Sequence, residues 1–300
     1  MSNILTILGS QVFGWVDHRI SGLNDRQILV GQLGPLIAFL VFFAVLPVAF
    51  VFIWSFWGYE GGEFVLLFSI DNYVRAIGRL GTVLFSTRIA LITVVLSVGV
   101  GYPVAYFVYR FVSEKNRLPI LLLLVFPFIL NRLVKIFALT TLLSTRGPVN
   151  QILFFMEPLN LVHRELAVYI GMVNDTVPIA IVLIYISLER IDKDLLSASY
   201  DLGASGIHTF RKITLPLSAP GIVAAAILIF VITLGDEAIP EIMGGVGTYT
   251  IGIMMLSIFD AGQIPLAGAV SVFTLIIIGA LLYLGQRFAN IMALFEEIES

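Results

Sequence analysis

Residues 189–222 read "ERIDKDLLSASYDLGASGIHTFRKITLPLSAPGI". The stretch is polar and ordered, and long apolar runs flank it. Asp192 is a residue type whose carboxylate caps helix starts. Leu195, Leu196, Ser199 and Leu202 then recur at helical spacing. Gly203 follows, the residue favoured in the left-handed turn just past a helix end. Ser205 can cap a second short helix that carries Ile207, His208 and Phe210, and Pro216 and Pro220 mark re-entry into an apolar run. The expectation is helix, turn, helix on a membrane surface. Ala198 and Ser199 keep one face thin enough for another surface to approach. Asp201, His208, Arg211 and Lys212 ring that face with charge. Apolar residues with a polar rim suggest docking; the plainer alternative is an ordinary interhelical loop, which is usually shorter.

The membrane itself follows from composition. The chain has 300 residues, 59% hydrophobic and 12% charged, where a soluble domain carries about 25% charged residues. So few charges cannot cover a water-facing surface. A net charge of −3 argues against nucleic-acid partners, and the absence of cysteine removes disulfides, thiolate metal sites and cysteine nucleophiles. The N-terminus lacks the early basic cluster of a cleavable signal, and the first long apolar run begins near Leu33.

A helix needs roughly 20 apolar residues to cross a bilayer. Six segments qualify: Leu33–Gly58, Ile89–Tyr109, Leu118–Leu143, Leu166–Leu188, Ile213–Gly235 and Ala261–Gln286. Backbone groups in hydrocarbon must be satisfied within the segment, so all six are expected to be α-helices, with Pro47 and Pro103 kinking rather than breaking theirs. The expected class is an all-α integral membrane protein. A further run, Ile242–Phe259, is interrupted early by Gly244, Gly245 and Gly247 and leaves about a dozen helical residues, too few to span. It reads as a loop and a short helix tucked against the bundle.

Lys and Arg set orientation. Ten lie on the side holding both termini and residues 189–212; seven lie on the other side or within the membrane. Both termini and the 189–212 segment are therefore expected in the cytoplasm. Residues 1–32 form a cytoplasmic segment that is either an interfacial amphipathic helix or a tail; 33–290 form the membrane domain, and 291–300 a cytoplasmic tail.

Ser197-Ala198-Ser199, Gly203, Phe210 and Leu215-Pro216 resemble the EAA loop of permease subunits of bacterial binding-protein-dependent ABC importers. "GPLIAFLVFFAVLPVAFVFIWSF" is similar to that family's first span, and "IDNYVRAIG", "LLSTRGPVNQIL" and "GDEAIPEIMGG" to its outer loops; together they are most similar to the polyamine (spermidine/putrescine) branch. Opine, phosphonate and ferric-iron permeases share parts of the pattern. The resemblance implies a type I importer permease fold. Its coupling loop, 189–216, would dock a cytoplasmic ATPase through Ser197, Ala198, Ser199, Asp201, Gly203, Ala204, Ser205, His208, Phe210 and Arg211. It also implies two ATPase subunits that bind ATP and Mg, a second similar permease, an external binding protein and a bacterial inner-membrane location. The departures are Ser197, where the family has glutamate, and Ser199, where it has alanine. No phosphate-loop motif G-x-x-x-x-G-K-[ST] occurs, so this chain would bind no nucleotide or other cofactor. An ion-driven transporter or channel leaves the coupling-type loop without a purpose, and a membrane enzyme lacks a visible nucleophile–base pair.

Ionisable groups inside a membrane are costly and so become functional candidates. Asp175, Asp236, Glu237 and Glu241 could meet the spaced ammonium groups of a polyamine. The alternatives are a salt bridge from Asp175 to Arg132, Lys135 or Arg88, and headgroup water for the other three. Arg132 and Lys135 share one helix face, which fits an aqueous cavity or an anionic cargo and counts against a polycation.

Overall fold

The computed structural model describes residues 25–60, 63–152 and 161–299. The expected N-terminal interfacial helix, residues 153–160 of an outer loop and Ser300 lie outside them.

Helix α1 (Asp25–Leu40) continues through a π-helical turn (Val41–Val45) into α2 (Leu46–Trp54). The widened turn sits where Pro47 removes a backbone donor, so the helix is adjusted rather than broken. This helix starts before the boundary expected at residue 33. A hairpin, β1 (Trp57–Glu60) and β2 (Glu63–Phe68), pairs antiparallel with Glu60 opposite Glu63. There follow α3 (Asp71–Ile77), α4 (Leu80–Phe111), α5 (Glu114–Ile129), α6 (Arg132–Leu143) and α7 (Pro148–Ile152). Then come α8 (Glu165–Glu189), α9 (Lys193–Asp201), α10 (Gly206–Thr209), a second π turn (Phe210–Thr214), α11 (Leu215–Leu217) and α12 (Ala219–Leu234). The chain ends with α13 (Ala238–Met243), α14 (Ile251–Asp260) and α15 (Ile264–Glu299).

Among the described residues, three helical stretches are long and apolar enough to cross a membrane: Leu33–Trp54, Leu80–Phe111 and Glu165–Glu189. Two more candidates are bent pairs. Glu114–Ile129 and Arg132–Ile152 meet at 87°, and Gly206–Leu217 and Ala219–Leu234 at 56°. The apolar run Leu118–Leu143 is thus not one continuous helix. Leu130 is extended (ψ 149°), and the Asn131 side chain accepts hydrogen bonds from the Leu133 and Val134 amides, which starts a new helix there. The apolar part of α15, Ile264–Ala280, is a further shorter apolar helix. Residues 242–259 form the end of α13, a loop and the short α14, as their glycines suggested.

The centre of the bundle is α4 against α8 and α12. Small residues make that approach possible. A Cβ on Gly101 of α4 would lie 2.6 Å from the Ala180 Cβ, and one on Gly221 of α12 would lie 2.4 Å from the Ser187 Cβ. In lipid there is no hydrophobic force between helices, so close packing and hydroxyl bonds hold them. Ser97 and Thr176 supply such a bond, 2.7 Å between buried oxygens. Tyr109, Ile181, Ile184 and Leu188 fill the same interface, while Ile89, Met172, Ile239 and Met243 build a second cluster where α13 folds back. The outward faces remain apolar, with Phe43, Leu84 and Leu123 each more than three-fifths exposed.

Candidate functional site

Two places gather the polar residues of interest. The first is the stretch between α8 and α12. The Asp192 carboxylate accepts from the Asp194 amide at 2.9 Å and starts α9. Gly203 ends it at φ 83°, a left-handed conformation that glycine adopts without Cβ strain. The Ser205 hydroxyl accepts from the His208 amide at 3.4 Å and starts α10. The buried hydroxyls of Ser199 and Thr209 bond at 2.9 Å and clasp the two helices together.

Two residues expected on the outer face are turned inward. Ser199 is 8% exposed and is spent inside the pair, not on an outer face. Phe210 turns inward: its ring stands edge-on to Tyr106 at 5.2 Å and to Tyr102 at 5.9 Å on α4. Edge-to-face packing favours such ring pairs, so Phe210 anchors the loop to the bundle. Leu202 (88% exposed) and Ile207 (70%) are the large apolar side chains of this stretch that face outward most, and neither is among the candidates drawn from the sequence. Their signal was there: two large apolar residues flanking a Gly–Ala–Ser turn have no core to enter. Ser197, Ala198, Asp201, Gly203, Ser205, His208 and Arg211 are exposed around them, and Ala204 is half-buried. Among the described residues Ser197 bonds only to its own helix, donating to the Lys193 carbonyl at 3.0 Å. Lys193 pairs with Glu114, tying α9 to the start of α5.

The second place is a chain of charges at the break between α5 and α6. Arg132, the first residue of α6, donates from Nε to Asp175 Oδ2 at 3.2 Å and from Nη2 to Asp236 Oδ2. Lys135, one turn on, donates to Asp175 Oδ1 at 2.5 Å. Asp236 also accepts from the Ile239 amide at 3.3 Å, which sets the start of α13. Four charges thus alternate, Lys135, Asp175, Arg132, Asp236, and sum to zero. Side-chain exposure falls from 39% at Arg132 to 13% at Asp175 and Lys135 and 2% at Asp236. Such burial is tolerated because each charge has a partner of opposite sign. Arg88 takes no part; it pairs with Glu165 at 2.6 Å. Glu237 and Glu241 are not drawn in either: both are exposed, and neither is in an ion pair among the described residues. Glu237 lies at a mostly apolar cavity shared by α2, α14 and α15, which Ser271 and Thr274 also line. Among the described residues no group of three or more metal-ligating side chains converges.

Residues 116–291, which hold the α9–α10 pair and the charge chain, match the family described as "Binding-protein-dependent transport system inner membrane component". The chain belongs to this family. Its members are permease subunits of ABC transporters, integral to the inner membrane; they are not enzymes, and separate subunits hydrolyse ATP. The chain is 33% identical over 265 residues to the spermidine/putrescine transport system permease protein PotB of Salmonella typhimurium, covering 86% of this chain and 92% of the relative. It is 32% identical over 272 residues to the Escherichia coli K12 protein of the same name, covering 88% and 98%. In fold, this permease resembles a chain of a bacterial ABC transporter involved in the import of the acidic polysaccharide alginate, with a TM-score of 0.66 at 15% identity over 92% of this chain and 98% of that one.

Proposed function

We propose that this permease carries a polyamine such as spermidine or putrescine into the cytoplasm as the membrane subunit of an ATP-driven importer. The observation that supports it most is the identity of about one residue in three, over nearly the whole chain, with permeases named for those two compounds. The charge chain removes the objection raised by Arg132 and Lys135. Each cation already faces a carboxylate, so the two do not present net positive charge to a polycation. Exposed Glu237 and Glu241 are the acids left for ammonium groups, and cation–π contact with aromatic walls would add to them.

In this reading the chain spans the membrane six times, the bent pairs and α15 counting as one span each, with both termini in the cytoplasm. Residues 33–290 are the membrane domain and 291–300 a cytoplasmic end. Residues 189–216 dock one of two ATPase subunits, which bind ATP and Mg; Leu202 and Ile207 supply the apolar contact, and Ser197, Ala198, Asp201, Gly203, Ser205, His208 and Arg211 its rim. Closure of the ATPases on ATP moves α9 and α10 and turns the cavity outward toward a periplasmic binding protein. The second permease is a distinct, similar subunit, because Ser197 leaves this loop without the acid that a fuller sister loop would contribute.

Uptake of labelled spermidine and putrescine, in cells lacking their own polyamine importers and expressing this chain with its genomic neighbours, tests the reading. ATP-dependent accumulation is expected. Uptake of an opine, a phosphonate or ferric iron instead would reassign the cargo, and a transport-active assembly with two copies of this chain and no second permease would overturn the heterodimer.

A further inference from the structure

Beside the α9–α10 pair, the end of α4, the start of α5 and the start of α9 enclose an open cavity of about 380 Å³. Arg110, Arg117 and Lys193 line it, together with Tyr109, Tyr200 and Ser197. Lys193 is matched by Glu114, but neither arginine is in an ion pair among the described residues. Both are nonetheless held in place. Arg117 donates to the Tyr109 carbonyl at 2.6 Å and the Val112 carbonyl at 3.1 Å. Arg110 lies 5.5 Å from the Tyr200 ring centroid and donates to its hydroxyl at 3.3 Å. Positioned guanidinium groups are pre-organised for a phosphate or carboxylate.

The surroundings select the source of that anion. Phe107, one turn before Arg110 on α4, and Leu118, next to Arg117 on α5, lie on the membrane side of the two arginines in the proposed topology and are 58% and 65% exposed. Apolar side chains below and cations above reproduce the profile of a bilayer from acyl chains to headgroups, and basic pockets between membrane helices bind anionic headgroups. Two acids lie nearby, Glu114, which pairs with Lys193, and Glu189, which accepts from the Tyr185 hydroxyl at 2.9 Å, so the three cations exceed the neighbouring carboxylates by one.

We infer that this cavity binds the phosphate of an anionic phospholipid, held by Arg110 and Arg117 with the Ser197 and Tyr200 hydroxyls beside it. The serine matters because it stands where the resembled loop carries a glutamate; a carboxylate there would sit among the cations and occupy the site. The lipid would brace α9 against the ends of α4 and α5. The inference is independent of cargo, so it can fail while the transport reading stands.

Native mass spectrometry of the complete detergent-purified assembly, titrated with phosphatidylglycerol, phosphatidylcholine or inorganic phosphate, tests it. Phosphatidylglycerol should be retained in preference to phosphatidylcholine. Arg110→Gln should weaken it roughly fivefold, the share of one basic residue near a membrane surface, and Ser197→Glu should weaken it at least as much. Ser197 also belongs to the proposed docking rim, so Tyr200→Phe, outside that rim, keeps the test intact if the other variants do not assemble: it removes one hydroxyl from the cavity and should weaken retention about threefold, the share of one hydrogen bond. Unchanged retention in the assembled variants overturns the inference. So does equal retention of phosphatidylcholine, or displacement of the lipid by millimolar phosphate, which would assign the cavity to a soluble anion. Retention that appears only once the ATPase is stripped away would assign it to an ATPase side chain and also overturn it.

Discussion

Arg132 and Asp236 lie 104 positions apart and form an ion pair whose carboxylate is almost fully buried. The pair joins the first residue of α6, just after a helix break, to the residue that starts α13. Asp175 on α8 shares the same guanidinium. One arginine therefore holds three elements that the backbone does not connect locally.

Removing both members should cost less than the two single losses added together. Asp236→Asn leaves Arg132 with a single carboxylate, and Arg132→Gln leaves a buried carboxylate facing no cation. Loss of one partner of a buried pair costs about 3–5 kcal/mol; the partial exposure of Arg132 places these variants toward or below the lower bound. The double variant should be less destabilised than the sum, with a coupling of about 1 kcal/mol or more. Thermal unfolding of the purified assembly measures this, and simple additivity would show that the charges do not act as a unit.

Phe210 and Leu202 separate anchoring from docking. Phe210→Ala removes a ring packed on Tyr102 and Tyr106 and should destabilise the protein by about 3 kcal/mol, in the range for core aromatic truncation. Leu202→Ala and Ile207→Ala remove exposed side chains and should leave the unfolding midpoint within a degree or two. They should instead lower ATPase co-purification, as interface truncations do. The opposite assignment, ATPase retained in Leu202→Ala and Ile207→Ala, would move the docking surface elsewhere.

Gly203 tests the turn. A Cβ there meets nothing within 4 Å, so the only obstacle to substitution is φ 83°. Gly203→Asn should retain most uptake, since asparagine tolerates the left-handed region. Gly203→Pro cannot adopt positive φ and should abolish uptake while the protein still inserts. Normal transport by the proline variant would remove the turn from the mechanism.

Orientation is open to direct labelling because the chain contains no cysteine. Thr248 is buried, whereas Val246 beside it is fully exposed. Ser205→Cys should react only after the cytoplasmic face is opened, and Val246→Cys in intact spheroplasts. Labelling of Ser205→Cys from outside would invert the topology.

What short segments can decide was decided by the sequence. The Asp192 and Ser205 caps and the Gly203 turn each depend on a few neighbouring residues, and each is present in the fold. The hairpin at 57–68 was also within reach, since two adjacent glycines separate its aromatic-rich strands. The break at Leu130–Asn131 was harder, because an asparagine in an apolar run is both a possible cap and a possible membrane-facing polar residue. Nothing local says which way Phe210 turns: that depends on Tyr102 and Tyr106 lying across from it on α4. Nor does spacing reveal that Arg132 would find Asp236, or that Ser199 would spend its hydroxyl on Thr209. Helix formation is a matter of adjacent backbone groups, whereas the satisfaction of a buried charge or ring depends on which distant helix arrives beside it, and only packing settles that.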